Sequence, residues 1–111
     1  MKFSSLLLGL ILVSPVFADV QGEPPVAVRT VAPEFPYEMK RNGVSGLVTV
    51  SCMIDAQGNV QEPKVEKSTA AAFEQPALEA VQKWKFKPAK RDGNPVAMRI
   101  AIPIKFVLNG N

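Results

Sequence analysis

From Val96 to Leu108 the chain alternates without a break. Val96, Met98, Ile100, Ile102, Ile104, Phe106 and Leu108 fall on one side, and Ala97, Arg99, Ala101, Pro103, Lys105 and Val107 on the other. A period of two held over that length predicts a half-buried strand with its apolar set turned to a core. Pro103 constrains the strand further. Proline has no N–H to give to a ladder, so the strand is expected to leave one side open to solvent there. The fold must therefore contain a sheet in which this segment lies at an edge.

A second alternating run begins at Gly46, with Val48, Val50, Cys52 and Ile54 on one side and Leu47, Thr49, Ser51 and Met53 on the other. Asp55 to Gly58 (DAQG) supplies turn chemistry, and a partner strand is predicted from Asn59 to about Lys67, forming an antiparallel hairpin. Pro63 places that partner at a sheet edge or at a bulge. Next, Phe73, Ala77, Val81 and Trp84 recur at i, i+4, i+8 and i+11, the apolar face of a helix of about three turns. Ser68 or Thr69 can cap its start, Pro76 requires a first-turn position, and Pro88 forbids continuation much beyond Phe86. A shorter helix is expected over Pro36 to Asn42, with Pro36 at its first position and Gly43 just past its end. DGNP, from Asp92 to Pro95, reads as a further turn. Asp19 to Pro33, carrying Pro24, Pro25 and Pro33, reads as an extended lead-in whose Val26, Val28 and Val31 could add a short strand. The predicted fold class is α+β: a small three-stranded antiparallel sheet with one main helix and a short N-terminal helix packed on one face.

The first eighteen residues form a separate object. Met1 and Lys2 make a positive start, Leu6 to Val13 an apolar run, and Val16 to Ala18 a small-x-small cleavage signal, so a secretory leader cut between Ala18 and Asp19 is expected. The apolar run is shorter than the ~20 residues that span a bilayer, and Pro15 interrupts it. The expected organisation is a signal peptide over 1–18, an extended lead-in over 19–32 and one domain over 33–111. Export would place the chain in an oxidising compartment, yet Cys52 is its only cysteine, so no internal disulfide can staple the fold. Its place in the apolar set of a strand favours a buried small hydrophobe over an intermolecular bridge or a reactive thiol.

Composition narrows the function. There is no histidine, which removes the usual general base near neutral pH and the commonest metal ligand. A single cysteine makes no thiolate cluster, Gly43 and Gly46 lack the following Lys and Ser or Thr of a phosphate loop, and the pairs Glu34 and Glu38 or Glu62 and Glu66 have ordinary surface spacing. No catalytic residue, no cofactor, no metal and no small-molecule substrate are expected. With 13 Lys and Arg against 10 Asp and Glu, one of the cations being Lys2, nucleic acid is not an expected partner. The basic run Lys83, Lys85, Lys87, Lys90 and Arg91 contains no acid. It is read as cations favourable at a helix C-terminus, with contact to an anionic surface as the alternative.

Several blocks, in order, resemble one family. APEFP at Ala32 to Pro36 is similar to a Pro-x-Tyr-Pro motif with Phe35 at the tyrosine. GVSGLVTVSCMIDAQGNV resembles a Gly-x-x-Gly-x-Val strand followed by an Ile-Asp-x-x-Gly-x-Val hairpin. ALEAVQKWKFKPA resembles a helix with its tryptophan and a Phe-x-Pro-Ala exit, and PIKFVL resembles a last strand. Together these are similar to the C-terminal domain of the TonB energy transducers, over roughly Pro33 to Leu108. The resemblance implies a strand, strand, helix, strand fold in the periplasm that takes part in TonB-dependent transport. It also implies a non-enzymatic binding role: capture of an extended TonB-box-like segment of an outer-membrane receptor or other envelope protein by strand addition beside the last strand. Carried over, the peptide-binding positions are Ala101, Ile102, Pro103, Ile104, Lys105, Phe106 and Val107, with Phe35 and Pro36 nearby. The family pattern includes a membrane anchor and a long Pro-rich spacer that this sequence does not display, so a stand-alone secreted form is expected. A self-associating structural envelope protein, a homodimer through the same edge, is the alternative.

Overall fold

A computed structural model describes residues 22–108. The leader over 1–18 and its cleavage between Ala18 and Asp19 lie outside the described residues. The chain runs β1 (Gly22–Glu23), β2 (Val26–Arg29), α1 (Tyr37–Arg41), β3 (Gly46–Ile54), β4 (Val60–Ser68), α2 (Glu74–Gln82), β5 (Lys85–Lys87), β6 (Ala89–Arg91), β7 (Asn94–Val96) and β8 (Met98–Phe106). The main sheet has the order β4-β3-β8 and is antiparallel throughout. Two small sheets accompany it, β1-β6-β7 and β2-β5.

Period-two patterning decides which face of the main sheet is inside. Val48, Val50, Cys52 and Ile54 of β3 are fully buried, as are Ile102, Ile104 and Phe106 of β8 to within a few per cent. On this face sit Phe73, Ala77 and Val81, the helical stripe expected from the sequence, all without exposed surface. At about 25 cal/mol per Å² of apolar area removed from water, these contacts are the main favourable term in the fold. Cys52 belongs to this core, where burial pushes its thiol up.

Two glycines are needed for close approach. A Cβ on Gly46 would lie 2.2 Å from Phe73 Cε2, so the start of β3 can admit the phenyl ring only without a side chain. Gly58, at φ 87°, closes the β3–β4 turn and would place a Cβ 1.8 Å from the Phe86 carbonyl oxygen. That turn is organised by Asp55, whose Oδ1 accepts from Gln57 N at 3.0 Å and Asn59 N at 2.8 Å, while Oδ2 accepts from Gln61 Nε2 at 2.9 Å. These bonds, led by that from Gln61, hold its carboxyl below the usual carboxylate range.

Several boundaries differ from the sequence expectation. The main helix ends at Gln82, so Trp84 lies beyond it and leads into β5. A single 3-10 turn over Ala71–Phe73 precedes the helix, and its N-terminus carries no side-chain cap. Thr69 Oγ1 instead accepts from Leu47 N at 3.0 Å, and the Ser68 hydroxyl donates to Glu74 Oε2 at 2.5 Å. Both hydroxyls are thus committed to tying the end of β4 to its neighbours. Pro76 is the third residue of α2, within the first turn as required, and Pro36 is the N-cap of α1. The last strand is shorter than its alternation: Val96 belongs to β7, which forms a tight hairpin with β6 through Asp92 and Gly93, both at positive φ.

Candidate functional site

The two outer strands of the main sheet both carry a proline, and the register shows how each is accommodated. β4 meets β3 with two shifts, one between Thr49 and Val50 and one between Ser51 and Met53. Glu62 and Pro63 fall at the second, with Glu62 at φ 52°, so Pro63 sits in a bulge. β8 meets β3 in nine consecutive pairs without interruption, Gly46↔Phe106 to Ile54↔Met98, with Thr49 opposite Pro103.

The orientation of the β8 backbone follows from β3. Leu47 N donates to Thr69 Oγ1 and Leu47 O accepts from Thr69 N, both at 3.0 Å, so the polar groups of Leu47 face the β4 side. In an antiparallel ladder the two groups of a residue point the same way and neighbours alternate. Thr49, Ser51 and Met53 therefore also face β4, while Val48, Val50 and Cys52 bond to Ile104, Ile102 and Ile100. Arg99, Ala101, Pro103 and Lys105 must then turn their backbone groups away from β3. The missing N–H of Pro103 falls at a point where β3 asks for none, which is why the ladder is unbroken.

The outer edge of β8 thus offers the N–H groups of Arg99, Ala101 and Lys105 and the carbonyls of Arg99, Ala101, Pro103 and Lys105. Among the described residues β8 pairs with β3 alone. The side chains of Arg99, Ala101, Pro103 and Lys105 are exposed, and Arg99 Nη1 donates to Ser51 Oγ at 3.3 Å across the outer face.

The expected site residues divide accordingly. Ala101, Pro103 and Lys105 share the open edge. Ile102, Ile104 and Phe106 are buried, and their backbone groups are directed at β3, so they offer an incoming strand no hydrogen bond. Val107 is exposed just beyond the end of β8. Phe35 is half-buried and packs edge-on against Phe73 and Phe106, each ring centroid 5.8 Å away, which makes it part of the core wall behind the edge. Pro36 is half-buried beside it.

A groove of about 310 Å³ runs along the edge, between Thr30, Val31, Ala32 and Pro33 on one side and Pro103, Ile104 and Lys105 on the other, with Trp84 contributing to its lining. Trp84 Nε1 donates to Val31 O at 3.0 Å, fixing the lead-in as a wall of this groove. The lead-in pairs with β6 through β1 and with β5 through β2, not with β8. Nothing local in the sequence marks Trp84 or Val31 as groove residues, since their contact spans 53 positions.

This arrangement has relatives. Residues 31–108 match the family described as Gram-negative bacterial TonB protein C-terminal. The chain is 39% identical to Protein TonB of Vibrio cholerae over 97 residues, 86% of this chain and 38% of that protein. It is 38% identical to Protein tonB2 of Pseudomonas aeruginosa over 79 residues, 70% of this chain and 29% of that one. It therefore spans well under half the length of either relative. The solution NMR structure of the Pseudomonas aeruginosa TonB CTD has the same fold, with a TM-score of 0.64 at 23% identity, covering 84% of this chain and 92% of that one. The tonb2 protein from Vibrio anguillarum superposes with a TM-score of 0.58 at 26% identity, over 91% of this chain and 98% of the other. With the family model covering most of the chain and identity near two-fifths, this chain belongs to the family of Gram-negative bacterial TonB protein C-terminal domains.

Proposed function

We propose that this chain is a periplasmic binding module that takes up an extended, TonB-box-like segment of an outer-membrane receptor or other envelope protein as an added strand beside β8, in the service of TonB-dependent transport. The observation that carries the reading is the outward set of backbone groups on β8, a regular nine-residue strand that pairs with β3 alone among the described residues. Backbone bonds to Ala101, Pro103 and Lys105 supply affinity and register, and the groove beside Trp84 receives the side chains that the guest turns inward. The role requires binding alone, without chemistry. Delivery to the periplasm rests on the leader read over 1–18, and among the described residues no helix is long and apolar enough to cross a membrane.

The test is calorimetric titration with a synthetic peptide carrying a receptor's TonB-box segment. Ala101→Pro and Lys105→Pro each delete one outward donor while sparing the bonds to β3. Each is expected to weaken binding about five- to tenfold, the worth of one net hydrogen bond. Thermal melts of both variants confirm that the fold is retained. Undiminished affinity in both folded variants would exclude strand addition at this edge. The same free edge favours a second reading, pairing with another copy of the chain. Sedimentation velocity separates the two, since a mass that rises with concentration supports the homodimer and a constant monomer rejects it.

A further inference from the structure

Of the basic run, Lys83 is the C-cap of α2, while Lys85, Lys87, Lys90 and Arg91 lie beyond the helix on β5 and β6. Lys85 and Lys87 are exposed on β5, whose middle residue Phe86 turns into the core. By alternation the two lysines share the opposite, outward side of the strand. Across the ribbon, β2 places Val26 opposite Lys87 and Arg29 opposite Lys85. Residues directly paired share a face, so Val26, Arg29, Lys85 and Lys87 lie together on one outward surface. Val28, at the irregularity between Ala27 and Arg29, is 65% exposed, and Val26 is 53% exposed.

Two features of this ribbon work against its own stability. Like charges directly opposite in a ladder repel, and Arg29 and Lys85 are such a pair. Two branched apolar side chains stand in water beside them. The carboxylate whose charge reaches Lys85 is Asp55, and its oxygens are already committed to Gln57, Asn59 and Gln61. Lys85 itself bonds the neutral side-chain oxygen of Asn59. Exposed cations set beside exposed aliphatic groups on a two-stranded ribbon match an interface that is anionic at its surface and apolar just beneath. We propose that the β2–β5 ribbon docks on an anionic phospholipid bilayer, with Arg29, Lys85 and Lys87 at the headgroups and Val26 and Val28 against the acyl boundary. A purely polyanionic partner would use the cations and leave the valines without a role, so the lipid surface is favoured over a charged polysaccharide. The ribbon lies on different strands from the β8 edge, so the two surfaces can be tested by separate substitutions.

Co-sedimentation with vesicles tests this. Wild-type protein is expected to pellet with vesicles of three parts phosphatidylcholine to one part phosphatidylglycerol and to stay in solution with pure phosphatidylcholine. Arg29→Gln combined with Lys87→Gln removes two cations, each worth about fivefold in partitioning to an anionic surface. The double variant is expected to bind about twenty-five-fold more weakly, with peptide affinity at β8 unchanged and thermal stability equal or higher once the repulsion is relieved. Val28→Ser is expected to weaken vesicle binding while leaving retention on a sulfated dextran column as it was. Equal pelleting with neutral and anionic vesicles, or wild-type binding by the folded double variant, would overturn the proposal. So would Val28→Ser binding vesicles as well as wild type, which would assign the ribbon to a polyanion instead.

Discussion

β4 and β8 flank the same central strand and each contains a proline, yet they solve the problem of an exposed edge in opposite ways. β4 has no fully buried residue, bulges twice, and carries Gln61, Glu62, Lys64, Glu66 and Lys67 as exposed residues along its length. Bulges, charge and proline are the devices by which natural sheets discourage further pairing. β8 has an unbroken register and three buried side chains, and its proline removes one outward donor without bending the strand. In this sheet the proline that lies in a bulge belongs to the charged edge, and the proline in unbroken register belongs to the regular one. Where the ring faces outward in register, it leaves a template with one gap.

The comparison is broken most severely through the core. Phe106→Ala on β8 deletes a ring with 1% exposure that packs against Phe35 and Phe73, and should cost about 3–5 kcal/mol in urea denaturation. Val65→Ala on half-buried β4 should cost about 1 kcal/mol. Similar losses would mean that the two edges share the core equally. A sharper contrast comes from restoring the missing donors. Pro103→Ala gives β8 a fourth outward N–H, between those of Ala101 and Lys105, and should tighten peptide binding about fivefold, the worth of one net hydrogen bond. Pro63→Ala gives β4 a donor inside a bulge and should leave peptide affinity as it is. If both changes act alike, bulging is irrelevant to edge choice.

The smallest effect concerns the Asp55 turn that joins β3 to the bulged strand. Its folded carboxyl is depressed, chiefly by the Gln61 amide and then by Asn59 N. Its contribution is therefore present above the unfolded value of 3.8 and is lost as pH falls through the lower folded value. Denaturation midpoints should fall over that acidic window in wild type by slightly more than in Asp55→Asn. Parallel pH profiles would show that the carboxylate does not hold the turn.

Much of this molecule is legible in its sequence because local physics dictates it. The period of two fixes which residues of β3 and β8 face the core, and the rule that proline cannot donate places Pro103 at an edge and Pro63 at an edge or a bulge. The spacing of Phe73, Ala77 and Val81 likewise identifies the buried stripe of α2. What local pattern could not supply is long-range. Trp84 fits the helical spacing as well as it fits a position beyond the helix, and its orientation is decided by Val31 O, 53 residues away. β5 is three residues long, too short for periodicity to announce, and it exists because β2 pairs with it. Pro103 marks the edge, but residue type alone cannot say which backbone groups on β8 point outward. That division between Ala101, Pro103 and Lys105 on one hand and Ile102, Ile104 and Phe106 on the other depends on the β3 register.

Amide hydrogen exchange of individual β8 residues, with and without a bound TonB-box peptide, addresses the central claim most directly. In the free protein the amides of Ala101 and Lys105 should exchange quickly while those of Ile102 and Ile104, bonded to β3, exchange slowly, and saturation with peptide should slow Ala101 and Lys105 selectively. Protection of Ala101 and Lys105 already in the free chain, or no change in either when the peptide is bound, would contradict an open β8 edge as the binding site.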